Sequence, residues 1–262
     1  MMSRRHVTTE NYIAILERSI SLLRGIESDV MSHDELKQRV MSSNNPLCVS
    51  LYNFQQTYLS FILNDYESMK ATAENHFNAE VTYQGWSLMS INIFHVFVLG
   101  LVSFRLYRET KEDLWLGRGR KFNATMKSWN KQGCLWTFEN KMYLMEAEEN
   151  FCTMNFDNAR KYYDMSISSA KTHKAVHEEA MAYEFAASFY FSIKEFSTSL
   201  EYYTIAHQKY HEWGAVHKVS LLYEFIQQKF TGGPPSASPT TAPTQLAQTF
   251  SGEADPRKRR HS

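Results

Sequence analysis

An internal repeat in the second half of the chain restricts the folds open to this sequence more than any other feature. Positions of one copy match residues of the same kind 40 residues later: Ala147 with Ala187, Phe151 with Phe191, Phe156 with Phe196, and Tyr162-Tyr163 with Tyr202-Tyr203. A repeat of this length marks a supersecondary unit that cannot bury its apolar face alone. Because such units are stable only when they stack on one another, we predict a stacked-repeat architecture.

Each copy places two aromatic residues five positions apart, on either side of a short polar joint. The joint contains Asn155 in one copy and Lys194-Glu195 in the next, and a fainter copy has Phe61 and Tyr66 around Asn64-Asp65. The alanine before the joint would let a second helix approach closely, and the aromatic residue after it would pack back over the pair. This spacing predicts helix hairpins.

Apolar residues elsewhere follow the period of an α-helix. The predicted helices are one through Ile13, Leu16, Ile20 and Leu23, then Leu47–Leu63, Tyr66–Phe77, Trp86–Tyr107, one from Glu112 towards Trp129, and five more between Glu139 and Phe230. No run alternates as a strand would, and 10 glycines and 6 prolines are few for a turn-rich β protein. The expected fold is therefore all-α, with stacked antiparallel helix hairpins over residues 1–230.

The last part of the chain differs in composition. From residue 231 it is rich in Ser, Thr, Ala and Pro, and it ends with the basic run Arg257–Arg260. It has too few large apolar residues to offset the entropy cost of ordering, so we predict that residues 231–262 form a disordered tail. The basic run is a candidate nuclear import signal or electrostatic anchor.

Charge and cysteine content argue against several functional classes. The 28 basic and 28 acidic side chains cancel, which argues against general nucleic-acid binding. The three cysteines form no CxxC pair, so neither a disulfide framework nor a cysteine zinc site is expected. The one membrane candidate, Trp86–Leu106, is interrupted by Asn92 and His95 and is interpreted as a buried helix. With no signal-peptide pattern, we expect a cytoplasmic protein that Arg257–Arg260 could direct to the nucleus.

Several residue groups resemble chemical sites but lack a required part. His173 and His177 share a helix face, yet no third metal ligand accompanies them, and we interpret them as a solvated helix start. Two larger groups are interpreted as polar helix faces: His207, His211 and His217, and Glu146, Glu148, Glu149, Glu178, Glu179 and Glu184. Gly117–Lys121 lacks the Lys-Ser/Thr step of a phosphate loop and is interpreted as a joint with a basic surface. We therefore predict no catalytic, cofactor or metal site.

Two resemblances rest on these segments. The repeat looks like a degenerate tetratricopeptide repeat with its period of about 34 residues extended. Asn140–Glu148, His177–Tyr190, and Trp213-Gly214-Ala215 followed by Lys218-Val219 resemble the helical repeat segment of hybrid signalling kinases, over about residues 139–222. Those proteins join a serine/threonine kinase-like domain, an AAA-type ATPase, a GAF domain and a sensor histidine kinase. The chain has neither the ATPase phosphate loop nor the HRD and DFG kinase motifs, so the resemblance implies a scaffold without catalysis, in which Gly214 supplies a turn.

Stacked hairpins of this kind line a concave face with their first helices. The residues predicted for this groove are Lys141, Leu144, Glu148 and Phe151 in one hairpin, and Met181, Glu184, Ser188 and Phe191 in the next. Their mixture of charged and apolar side chains suits a protein or peptide partner, such as a kinase or ATPase component. We expect a scaffold for protein–protein interaction in signalling. Two alternatives stay open: a part of a multidomain sensor kinase that relays its conformational state, and a small-molecule sensor with its ligand inside the superhelix.

Overall fold

The structure, a computed structural model, describes residues 4–26, 30–78, 89–132 and 135–232, and within these ranges it is helical without any strand. Its helices are α1 (Arg4–Arg24), α2 (His33–Ser42), α3 (Pro46–Ile62), α4 (Tyr66–Asn78), α5 (Met89–Thr110), α6 (Asp113–Gln132), α7 (Leu135–Cys152), α8 (Phe156–Thr172), α9 (Val176–Ser192), α10 (Phe196–Trp213) and α11 (Val216–Ile226), which continues into a π-helical turn, Gln227–Thr231. The predicted all-α class is confirmed for these residues.

One helix was not predicted, and most of the predicted tail lies outside the described residues. Helix α2 is absent from the predicted set, because a capping box between Ser32 and Glu35 starts it rather than a long apolar pattern. Of the predicted tail only Thr231 and Gly232 belong to the described residues, and Arg257–Arg260 lies outside them.

The joints between paired helices share one geometry. In α3–α4, α7–α8 and α9–α10 the middle residue of the joint is left-handed, with φ of 61° at Asn64, 60° at Met154 and 67° at Lys194. In all three, the next amide donates a hydrogen bond of 2.9 Å to a carbonyl five residues back, which closes the last helical turn. Joints this short make the two helices antiparallel neighbours. Gly214, with φ of 88°, ends α10 in the same way, as predicted.

Two pairs of helices occupy the positions at which the sequence matches itself. Helices α8 and α10 begin at Phe156 and Phe196, 40 residues apart. Ala147 and Ala187 occupy equivalent places in α7 and α9, and both are fully buried. The small side chain of Ala187 leaves its backbone accessible, so that the Ser199 hydroxyl of α10 donates a hydrogen bond of 2.8 Å to its carbonyl oxygen. This contact agrees with the predicted close approach of the paired helices.

Gly117–Lys121 lies inside α6, so its interpretation as a joint is wrong. The helix continues through this segment because both of its glycines are tolerated for different reasons. A Cβ atom at Gly119 would lie 2.6 Å from the Phe104 ring of α5, whereas one at Gly117 would have no neighbour within 4 Å. Gly119 therefore permits the close packing of α5 and α6, and Gly117 does not contribute to it.

Replacing Gly117 by alanine and replacing Gly119 by alanine are expected to have opposite effects on the stability of the protein. Gly117→Ala should stabilise the protein by up to about 1 kcal/mol, because alanine favours the helix and meets no neighbour. Gly119→Ala should destabilise it by about 1–3 kcal/mol, because its methyl group must displace the fully buried ring of Phe104. Urea unfolding of the two variants measures the difference. Equal stabilisation by both would contradict this account of the α5–α6 contact.

The odd-numbered helices of this stack contact one another, α3 with α5, α5 with α7 and α7 with α9. The stack also closes on itself. Helix α3 reaches α9, where the Tyr58 hydroxyl lies 3.1 Å from His177 Nε2, and α1 reaches α11, where His217 Nδ1 lies 3.2 Å from the Leu22 carbonyl oxygen. These contacts cover helix faces that an open superhelix would leave accessible.

Three of the four residues of the predicted apolar stripe of α1 face outwards. Ile13, Leu16 and Ile20 are 49%, 44% and 55% exposed, whereas Ile15 and Leu23 are buried. The helix is where its period predicts, but α2 and α3 form a small second core with Ile15 and so select a different face.

Candidate functional site

Of the eight predicted groove residues, three lie in the interior away from the cavities, Lys141 is half-buried, and four line cavities. Leu144 and Met181 are 1% and 0% exposed and belong to the main core. Glu148 is also fully buried, and its carboxylate accepts hydrogen bonds from Arg108 and Tyr163. The prediction that these three line an accessible groove is therefore corrected, because the closed stack covers their faces of α7 and α9. Lys141 is half-buried and pairs with a neighbouring glutamate on α9.

The other four predicted residues line two adjoining cavities beside the C-terminal halves of α5 and α9. The inner cavity, about 340 Å³, includes Glu184 and Phe191 in its wall. The outer cavity, about 480 Å³, includes Phe151. Ser188 lines both cavities, and so do two arginines that the sequence analysis did not select, Arg105 and Arg108. The cavities therefore meet at these two arginines.

The two arginines differ in how well their charges are matched. Arg108 donates to the buried carboxylate of Glu148, and its guanidinium lies 4.7 Å from the centre of the Phe151 ring. Arg105 Nε lies 3.3 Å from a carboxylate oxygen of Glu109, but without the alignment of a hydrogen bond. Because Glu109 is also 48% exposed, it screens the Arg105 charge only weakly. The junction of the cavities thus keeps a positive charge at Arg105.

Glu184, at the base of the inner cavity, is held by three donors. Its Oε1 accepts from Lys218 Nζ at 2.6 Å and from Asn64 Nδ2 at 2.8 Å, and its Oε2 accepts from the Tyr210 hydroxyl at 2.7 Å. Burial alone would raise the pKa of this carboxyl, but the Lys218 ammonium and the other two donors hold the pKa below its ordinary value. Glu184 is therefore ionised at neutral pH, and its contacts join α9 to α10, α11 and the α3–α4 joint.

The interpretation of His173 and His177 as a solvated helix start is wrong for His177. His173 is exposed, but the His177 ring stacks on Trp213 with a centroid distance of 4.1 Å and lies against Tyr58. Burial lowers the pKa of His177 to about 4, despite the opposing effect of Glu178. His177 is therefore a neutral ring in an aromatic contact between α3, α9 and α10, rather than a solvated side chain.

The other interpreted polar faces are confirmed only in part. Glu148, Glu179 and Glu184 are 0%, 3% and 7% exposed, so the polar-face interpretation is wrong for them. His211 is exposed as expected, whereas burial lowers the pKa of the half-buried His207. Apolar periodicity alone does not reveal a buried ion pair, because the partner that neutralises the charge lies on another helix.

His76 and His95 form a buried pair that the sequence did not suggest. Their Nε2 atoms are 3.1 Å apart, and the two side chains are only 5% and 2% exposed. Burial lowers the pKa of His76 to about 4; burial, together with the neighbouring His76, lowers that of His95 to about 3. Their only signal was His95 as a polar interruption of an apolar run. Within the described ranges, no group of three or more His, Cys, Asp or Glu side chains could hold a metal ion.

In the described segments, no helix is both long enough and apolar enough to cross a membrane. Comparisons with protein-family models, with curated proteins and with solved structures find no match to this chain.

Proposed function

We propose that this chain is a non-catalytic scaffold of tetratricopeptide-like hairpins, which binds a segment of another protein at the outer cavity and acts in signalling. The observation that supports the binding site is the cavity of about 480 Å³ itself. Two apolar residues in its wall are exposed, Met154 by 77% and Phe156 by 39%. Exposed apolar side chains beside a concave opening are typical of a protein contact surface. The signalling role rests on the resemblance of residues 139–222 to hybrid kinases.

The charges of the outer cavity favour an acidic partner segment. Arg105, Arg108 and Lys111 face one acidic residue, Glu109, in its wall. Glu148 neutralises the charge of Arg108 through their ion pair. Arg105 and Lys111 therefore remain to attract a ligand, opposed only by the single negative charge of Glu109 in this wall. Complementary charge directs encounter and register, while apolar contact supplies most of the affinity. We therefore expect a segment that combines an acidic residue with a large apolar side chain.

Site-specific photo-crosslinking in the protein's own cell tests this proposal. A benzoylphenylalanine at Phe156 is expected to crosslink to an acidic segment of a partner. The matched control places it at Phe196, the equivalent residue of the next repeat, which is 50% exposed and lines neither cavity. A synthetic peptide of the captured segment should bind the purified chain, and Met154→Glu should weaken that binding at least about tenfold, since it adds a like charge. The same crosslinks from both positions, or peptide binding unaltered by Met154→Glu, would contradict the proposal.

A further inference from the structure

We propose that the inner cavity is a second binding site, which takes a small organic anion: a carboxylate that pairs with Arg105, joined to an apolar body. This inference goes beyond the proposed function, because the partner segment occupies the outer cavity and the anion lies behind it. The two sites meet at Arg105, Arg108 and Ser188, but their remaining wall residues differ.

The size and wall of the inner cavity suit the apolar body. Its volume of about 340 Å³ falls within the ~300–1,000 Å³ range of small-molecule sites. Five aromatic side chains contribute to the wall: Phe61, Phe185, Phe191, Tyr203 and Phe225. They come from α3, α9, α10 and α11, so the cavity is formed only when the stack closes. A planar apolar group placed among these rings would bury its surface without displacing any buried charge.

The charges around the inner cavity select an anionic head. Glu184 contacts Lys218 and Arg108 contacts Glu148, so both of these charges are matched within the protein. Arg105 has only the half-exposed Glu109 on its outer side. A guanidinium beside apolar walls attracts an anion more strongly than one in water, and its planar fork matches a carboxylate. Apart from the exposed Lys229, the wall therefore leaves the positive charge of Arg105 for the ligand to neutralise.

Polar contacts within the wall leave the Arg105 guanidinium as its main specificity element. The Asn64 amide and the Tyr210 hydroxyl already donate to Glu184. A neutral polar head that used the Asn64 amide would have to break a hydrogen bond to gain one, whereas a carboxylate gains its contact at Arg105 without such a loss.

Titration calorimetry of the full chain with 2-naphthoate tests the proposal, with naphthalene-2-carboxamide as the neutral probe of the same shape. We expect one saturable site that binds the carboxylate at least about tenfold more tightly than the amide. Arg105→Gln should abolish this difference. Lys111→Gln, the matched control, removes one positive charge from the outer cavity alone and should preserve the difference.

Each further outcome has a definite meaning. Arg105→Lys keeps the charge but loses the planar fork, so it should retain the carboxylate preference with weaker binding, and it carries the test if Arg105→Gln does not fold. Equal affinity for the two probes, no saturable binding, or a preference unchanged by Arg105→Gln would overturn the proposal. Displacement by inorganic phosphate at a similar affinity would overturn the need for an apolar body. Loss of naphthoate binding on Met154→Glu would place the probe in the outer cavity and overturn the assignment.

Discussion

Lys218→Met is expected to lower the free energy of unfolding by about 3–5 kcal/mol. Lys218 is 1% exposed, and its ammonium contacts Glu184, which is 7% exposed. Removal of the ammonium leaves an ionised carboxylate in the interior with only the Asn64 amide and the Tyr210 hydroxyl as donors. A buried charge without its counter-charge costs far more than the pair itself contributes, so much of the stability of the closed stack should be lost. Urea unfolding measures this effect.

Two controls separate the buried charge from the loss of packing. Adding Glu184→Gln to Lys218→Met removes the unmatched charge and should recover most of the lost stability, because a neutral pair of similar volume costs little. Lys70→Met breaks the exposed ion pair with Glu112, whose side chains are 34% and 48% exposed, and should change stability by less than about 1 kcal/mol. A double variant as unstable as Lys218→Met would show that lost packing, rather than the charge, causes the effect.

The protein is expected to lose stability steadily as the pH falls from about 6.5 to 4.5. In the folded state the pKa of His76 is about 4 and that of His95 about 3, because burial disfavours the charged ring. Below the pKa of an unfolded histidine, near 6.5, the unfolded chain takes up protons that the folded chain cannot, so unfolding is favoured. At about 1.4 kcal/mol per pH unit, each of these histidines contributes up to about 3 kcal/mol over the two units. His177, with a pKa of about 4, adds to the same trend.

The carboxylate of Glu184 does not account for this pH window. The pKa of Glu184 is held below its ordinary value of 4.5, so the stability that Glu184 contributes is lost only as the pH falls further. The double variant His76→Gln, His95→Gln keeps polar side chains in the pair but removes their titration. Its stability, measured by urea unfolding at pH 7.5, 6.5, 5.5 and 4.5, should fall less steeply than that of the wild type. Parallel profiles for the two proteins would contradict the role assigned to these histidines.

Much of the secondary structure could be predicted from the sequence because it depends on neighbours along the chain. The apolar period identifies most of the helices, and the aromatic spacing around Asn155 and Lys194 identifies the joints. At each of these joints a residue with left-handed backbone geometry ends the first helix. The prediction failed where a local signal had two meanings. The glycines at 117 and 119 resemble a joint, but one of them is a close contact with Phe104 inside a helix.

The candidate site could be predicted only in part. Phe151, Glu184, Ser188 and Phe191 line the two cavities, and their repeat positions identified them. Their equivalents Leu144 and Met181 are core residues, because neighbouring helices cover them. Arg105 and Arg108 were missed: α5 lies outside the recognisable repeat, and nothing in its local sequence indicates which helix it faces.

The sequence by itself determined the helical class and the joints between paired helices, since these depend on residues close together in the chain. Only the tertiary structure decided which faces are buried and which charges meet. Tyr58 contacts His177 across 119 positions, and Asn64 contacts Glu184 across 120, so the closure that creates the inner cavity joins segments far apart in the chain. A periodic pattern specifies that a helix has a face to bury. The partner that covers this face also decides whether a charge there is neutralised. That partner is known only once the stack is closed.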